Sequence, residues 1–421
     1  MLATLRNRNF MLLWLAGLIS FGGDWAMLIA LPVFIYDLTG SALATGGVFI
    51  ALSLPRLLFG SLAGVFVDRW DRRRTMLVAN LLSAATLLLL LPVHSPDRLW
   101  LVYLVAFLHT GLSVFFMPAE SALLPQLVPG DHLLHANALI ALNWELMRLI
   151  APPLGGLAMV LLGFGSVVWI DLISFLSAAA LVALIVPPAA APGPMAPAAA
   201  RQVGRELMAG LGLVVRSAPI RAVFWIVGAA MVAEGVLNVL AFPWLKQVLH
   251  GGALERGWLA SAQAIGGLAG GLLISRVARL VRPSYLIGAS GLMLGLLTLA
   301  YINITTLPIV PQLWLPAALL IRALQGLPIM GLFVSIDTLL QQSVADQFRG
   351  RVFGAYGAAC GLATLLGQVL ASAFGDQLDV VVLLDIVGLL YIAAGLIALA
   401  LLAGQQLATG AVPAEPHAKI A

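Results

Sequence analysis

Long apolar runs broken by short polar stretches set the pattern of the chain. A helix that crosses a bilayer needs about 20 mainly apolar residues. On that rule the runs predict twelve spans, at 10–36, 43–66, 75–93, 99–118, 136–160, 166–187, 218–245, 257–280, 284–305, 313–338, 352–374 and 380–403. Lipid offers no partners for backbone N–H and C=O groups, so each span has to be helical. The pattern therefore predicts an all-α polytopic membrane protein with twelve transmembrane helices.

The sharpest break follows Gly60. Six charges fall between Asp68 and Arg74, and apolar text resumes at once. A short arginine-rich turn between two spans belongs on the cytoplasmic side. The longest break begins at Pro187 and is rich in proline and alanine up to Ala200. Such a run reads as an extended linker. It divides the chain into an N-terminal six-helix bundle (1–187), a cytoplasmic linker (188–217) and a C-terminal six-helix bundle with a short cytoplasmic tail (218–421).

The two halves echo each other. Asp24 with Pro32 recurs as Glu234 with Pro243, Leu62-Ala-Gly64 as Leu268-Ala-Gly270, Leu123 to Val128 as Leu339 to Val344, and Asp171 as Asp385. Together these matches argue for a duplicated six-helix unit, as in transporters built from parallel repeats.

Composition agrees: 62% of the 421 residues are hydrophobic and only 10% charged, against about 25% charged in ordinary soluble domains. The net charge of +4 gives no nucleic-acid footprint, because the basic residues sit in short loops. With loops assigned alternately, sixteen lysines and arginines fall on the side of the termini, and three (Arg98, Lys246, Arg256) fall on the other. That asymmetry places both termini in the cytoplasm. Trp100 and Trp244 read as interface anchors. The lone Cys360 allows no internal disulfide. No phosphate-binding G-x-x-x-x-G-K-[ST] loop occurs, so active transport has to draw on an ion gradient. No catalytic constellation, metal cluster or cofactor motif stands out, and an enzyme is not expected.

Ionisable residues within spans are costly, so each asks for a partner or an aqueous cavity. Asp24 follows Gly22-Gly23 and is the leading candidate for proton coupling; the alternative is a capped carboxylate or one paired with Arg56. Glu234 is its counterpart in the second half. Glu145 and Arg148, three apart on one helix face, form either a structural pair or a proton-dependent switch. Arg56 and Arg322 are anion-binding groups or counter-ions of the acids. Asp171 and Asp385, near the outer ends of their spans, are expected to be capped or hydrated. Trp25 and Trp144 stand beside candidate acids and are candidate walls of a substrate cavity. His132 and His135 lie in a cytoplasmic loop, without metal-ligand company.

The turn at Gly64, Asp68, Arg69, Arg72 and Arg73 resembles the G-x-x-x-D-R-x-G-R-R signature of the major facilitator superfamily, with Asp71 in place of the second glycine. Arg148-Leu-Ile-Ala-Pro152-Pro-Leu-Gly155-Gly156 resembles the antiporter pattern R-x-x-G-P-x-x-G-G, with Ala151 replacing a glycine. With Pro118-Ala, Ala136 to Leu139 and Asp171 to Phe175, the chain is similar to the drug-exporting branch that includes macrolide and enterobactin exporters. The resemblance implies a monomeric transporter in the cytoplasmic membrane that exchanges protons for amphipathic small molecules by alternating access. An uncoupled facilitator or lipid flippase is the alternative, followed by a receptor or assembly partner. It also implies a gate: Asp68 would dock near Gly350 to Gly354, at the start of the eleventh helix, when the inside is closed. The plainer reading of that turn is a basic topological anchor.

Overall fold

A computed structural model describes residues 2–67, 69–186, 217–278 and 280–402, with Met208, Gly212, Val214 and Val215 between the second and third stretches. Asp68 and nearly all of the expected linker lie outside the described residues.

Among the described residues, twelve helices are long and apolar enough to cross a membrane. They are α1 (Arg8–Thr39), α2 (Ala42–Val67), α3 (Arg72–Leu87), α4 (Leu99–Leu127), α5 (Leu133–Leu162), α6 (Phe164–Ala183), α7 (Ala218–Val248), α8 (Ala253–Val277), α9 (Pro283–Ile302), α10 (Trp314–Ser343), α11 (Asp346–Phe374) and α12 (Val380–Leu402). The all-α, twelve-span expectation holds, and the protein is a multi-pass membrane protein.

Local chemistry sets several helix ends. The Asn7 side chain accepts the Phe10 N–H (3.2 Å) at the start of α1, which ends at Gly40 in the left-handed conformation (φ 65°). Glycine adopts that conformation without penalty, which makes the abrupt link into α2 possible. Asp71 caps α3 by accepting the Arg74 N–H at 2.7 Å, a physical reason for an acid where the signature has glycine. Arg73 donates to the carbonyls of Val182 (3.1 Å) and Ala183 in the last turn of α6, where cations are favourable.

Several helices outrun the apolar pattern. α4 continues nine residues beyond 118, through Pro118 and Pro125. α8 begins at Ala253 because the Glu255 carboxylate accepts the Gly252 N–H (2.8 Å). Arg256, expected in an outer loop, therefore sits in the first turn of α8. Trp244 is not an interface anchor either. It is fully buried, donates to the Ile302 carbonyl (3.1 Å) and packs on Tyr301, with ring centroids 4.3 Å apart.

Helix packing repeats after six helices. α1 packs on α5 and α6 as α7 does on α11 and α12; α2 packs on α4 as α8 does on α10; α3 packs on α4 and α6 as α9 does on α10 and α12. Two extensive seams join the first six helices to the last six, α2 against α11 and α5 against α8, and these are themselves related by the repeat. With an even number of spans, α1 starts and α12 ends on one face, called here the terminal face; the opposite one is the distal face.

Candidate transport cavities

Two cavities occupy the middle of the molecule and share Trp25 and Leu28 of α1. The first, about 630 Å³, lies among α1, α2, α3 and α4. Asp24, Arg56, His109, Asn80 and Ser113 reach it from four helices, and Trp144 joins them from α5. Asp24 Oδ1 and His109 Nε2 are 2.8 Å apart, with the two side chains 33% and 16% exposed. The partner of Asp24 is thus His109. Arg56 lines the same cavity but makes no ion pair with Asp24 among the described residues. His109 stands edge-on to Phe175 (centroids 5.2 Å apart), and its Nδ1 has no hydrogen-bond partner among the described residues.

Behind this pair lies Asp171 of α6. It is fully buried rather than hydrated, contrary to expectation. The Ser174 hydroxyl is bonded to its backbone carbonyl (2.7 Å) and lies 3.3 Å from Oδ1, while Oδ2 has no partner among the described residues. Gly23 lets α6 come this close: a Cβ there would be 3.1 Å from the Asp171 Cα. A carboxylate, an imidazole and a second carboxylate are thereby gathered at mid-helix, one residue from a close helix contact. Asp385, the repeat counterpart of Asp171, accepts from the Asn303 amide (2.6 Å) and so is side-chain-bonded rather than capped by backbone.

The second cavity, about 480 Å³, is lined by Arg148, Glu234, Arg256, Arg322, Tyr301 and Tyr391 among others. Glu234 lies 3.4 Å from the Tyr391 hydroxyl. Arg148 is 3.7 Å from Glu145 and reaches across to α8, where a Cβ on Gly267 would be 2.9 Å from its Nη2. Trp25 and Trp144 are edge to face, with centroids 6.0 Å apart, and Phe21 packs on Trp144 at 4.9 Å. Trp25 and Trp144 are in the lining of the first cavity, and Trp25 also in that of the second.

A family model described as "Transmembrane secretion effector" matches residues 1–417. The chain belongs to this family of major facilitator superfamily transporters. It is 24% identical over 376 residues to macrolide efflux protein A of Streptococcus pyogenes, covering 88% of this chain and 90% of the relative. It is 28% identical over 381 residues to the multidrug efflux pump Tap of Mycolicibacterium fortuitum, covering 87% and 89%. Among solved structures, a bacterial homologue of the iron transporter ferroportin in an inward-facing state superposes with TM-score 0.75 at 15% identity, covering 94% of this chain and 97% of the other. That likeness speaks for the fold alone.

The transporter's seams are tight at the distal face. Asp376, in the turn after α11, accepts from the Ser41 hydroxyl (2.5 Å), the Ala42 N–H (2.5 Å) and the Leu43 N–H (3.2 Å), capping α2 from the other half of the chain. Lys246 pairs with Asp37 at 3.0 Å, and Gln247 donates to the Tyr36 hydroxyl at 2.8 Å. In the α5–α8 seam, a Cβ on Gly257 would be 2.5 Å from the Pro152 carbonyl, one on Gly156 would be 2.9 Å from the Leu254 Cα, and Ser261 donates to the Leu149 carbonyl (2.5 Å). Gly155 faces α1 instead, with a Cβ 2.7 Å from the Ala26 Cα. Pro152, Gly155 and Gly156 are thus close-packing positions.

Toward the terminal face the seams part. Cβ atoms on Gly60, Gly271, Gly350 and Gly354 would meet nothing among the described residues within 4 Å, and Leu134 and Leu272 are 79% and 72% exposed. The first cavity extends toward this side, where Gly60 of α2 and Met117 and Pro118 of α4 join its lining. In the arginine-rich turn, Arg69 is exposed and Arg72 half-buried, both at the terminal face. Gly64 lies in the last turns of α2.

Two ionisable residues, His109 and Glu120, escaped the sequence reading, and a third, Arg256, was misplaced by it. His109 is one histidine in an apolar run, and its only signal is that an ionisable group inside a span needs a partner. Arg256 was hidden by the charged start of α8. Glu120, 4% exposed, lies just beyond the expected end of the fourth span.

Proposed function

We propose that this transporter exports amphipathic small molecules, such as drugs or siderophore-like compounds, across the cytoplasmic membrane in exchange for protons. The terminal face is the cytoplasmic one, because most lysines and arginines of the short loops lie there. On this reading the conformation is inward-open, which the terminal-side lining of the first cavity and the tight distal seams support. Transport proceeds by rocking of two bundles, residues 1–187 and 218–421, about the α2–α11 and α5–α8 seams.

The observation that carries this reading is the Asp24–His109 hydrogen bond of 2.8 Å in the wall of the cytoplasm-open cavity. Histidine is the side chain whose charge changes most readily around neutral pH. A proton arriving from outside, in the opposite conformation, neutralises the pair and favours return to the inward-open state. There a lipophilic substrate displaces the proton into the cytoplasm. Glu234 and the Glu145–Arg148 pair, on the second cavity's side, report occupancy across the α5–α8 seam.

The reading is tested in everted membrane vesicles by efflux of a panel that includes a macrolide antibiotic and ethidium, with and without a pH gradient. Gradient-dependent transport lost in Asp24→Asn is the expected result. Transport indifferent to the gradient would instead make the protein an uncoupled facilitator or flippase.

A further inference from the structure

We propose that the second cavity is a binding site for an oxyanion, a carboxylate or phosphate carried on an apolar body, seated between Arg256 and Arg322. The proposal deepens the export reading by naming the charge of part of the substrate.

The cavity holds three guanidiniums and one carboxylate, Glu234. Arg148 has Glu145 at 3.7 Å, but among the described residues neither Arg256 nor Arg322 has a carboxylate within 4 Å. Arg322 is held in place by neutral oxygens: Nη1 donates to Gln325 Oε1 (3.0 Å) and Nη2 to Gln263 Oε1 (2.5 Å). Gln325 is braced in turn by donating to the Thr298 hydroxyl (3.1 Å). These bonds fix the orientation of the fork without neutralising its charge, and its buried Nε has no partner among the described residues. Arg256 makes no side-chain hydrogen bond or ion pair among the described residues.

A guanidinium withdrawn from water without a counter-charge is costly. Glu234 cannot discharge two arginines, and its nearest hydrogen-bonding neighbour is the Tyr391 hydroxyl. Arginine's planar fork matches a carboxylate or phosphate with paired bonds. The rest of the wall suits an apolar body: the Arg322 guanidinium lies 5.4 Å from the Tyr301 ring centroid, and Phe49, Met330 and Phe333 complete the surface. The first cavity differs: its carboxylate, the half-buried Asp24, is bonded to His109, and Arg56 is its one guanidinium among the described residues. A zwitterionic amphiphile would engage both.

The test uses the purified full-length transporter and three fluorescent probes with one apolar body: dansylglycine (carboxylate), its aminomethylphosphonate analogue (phosphonate), and dansylcadaverine (ammonium). Binding is read from the rise in dansyl emission. Arg256→Gln and Arg322→Gln are expected to weaken one or both anionic probes by about tenfold or more, and to leave dansylcadaverine within about twofold. Arg322→Lys should retain part of the affinity. Whichever anionic probe is affected more identifies the oxyanion. Unchanged affinity for both anionic probes, or an equal loss for all three, would overturn the proposal. Arg256 has no side-chain partner to lose among the described residues, so Arg256→Gln remains informative if the Arg322 variants fold poorly. Proton coupling is assayed separately through Asp24→Asn; loss of gradient dependence with anion binding intact, or the converse, tells the two ideas apart.

Discussion

Asp24 is placed to work with His109 rather than with Arg56, and this changes what its replacement should do. Asp24→Asn keeps a hydrogen-bonding group beside the imidazole at 2.8 Å and removes the charge. It should therefore abolish gradient-driven efflux while leaving the amount of folded protein in the membrane unchanged, as judged by size-exclusion profile and melting temperature. His109→Gln should give the same phenotype. If His109→Gln retains full gradient-driven efflux, the pair is structural. Asp24 was legible in the sequence because an acid after two glycines in an apolar run is conspicuous. His109 and Arg256 were not, because their roles come from neighbours on other helices: His109 faces a carboxylate 85 positions earlier, and Arg256 lies in a helical first turn that its own charges disguised as loop. Asp171 was misjudged for a related reason. Its place near a span end says nothing of α1, whose Gly23 brings it into contact.

Among the elements, α2 is unusual in taking its cap from the far half of the chain. Asp376 closes three donors at its start, so breaking that cap should unseal the distal face. Loss of an N-cap side chain costs about 1 kcal/mol, which shifts a two-state balance roughly fivefold. Asp376→Ala should lengthen the distance between spin labels at positions 43 and 378, both exposed at that face, measured by electron paramagnetic resonance in a background where Cys360 is replaced. An unchanged distance distribution would show that Asp37–Lys246 and the Gly257–Pro152 contact hold the seal alone. A purely local effect is expected for Asp71→Ala: about 1 kcal/mol of stability lost at the start of α3, read as a lower melting temperature, with no change in label distances. Helix number and type were legible because about 20 apolar residues admit only one structure in lipid. Helix ends were not, since Pro118 and Pro125 look like breakers in text but are tolerated where neighbouring helices supply packing and partners.

On the scale of the whole molecule, one packing scheme is used twice and the chemistry is divided unequally between its copies. The first six helices place Asp24 and His109 at the cavity wall; the last six place Glu234 among arginines. The duplication was visible in the sequence as four weak matches, and the recurring helix pairs give it a physical basis. The unequal chemistry was only half visible: Asp24 and Glu234 look equivalent in register, yet one meets a histidine and the other a tyrosine. That difference supports the proposed division, with coupling in the first half and substrate charge in the second. The decisive measurement is transport in proteoliposomes with the membrane potential clamped at zero and a pH difference of about one unit imposed, using the substrate drawn from the efflux panel. Proton-for-substrate exchange predicts accumulation against the substrate gradient that reverses when the pH difference is reversed and disappears in Asp24→Asn. Equal accumulation with and without the pH difference, or unaltered exchange in Asp24→Asn, would contradict it.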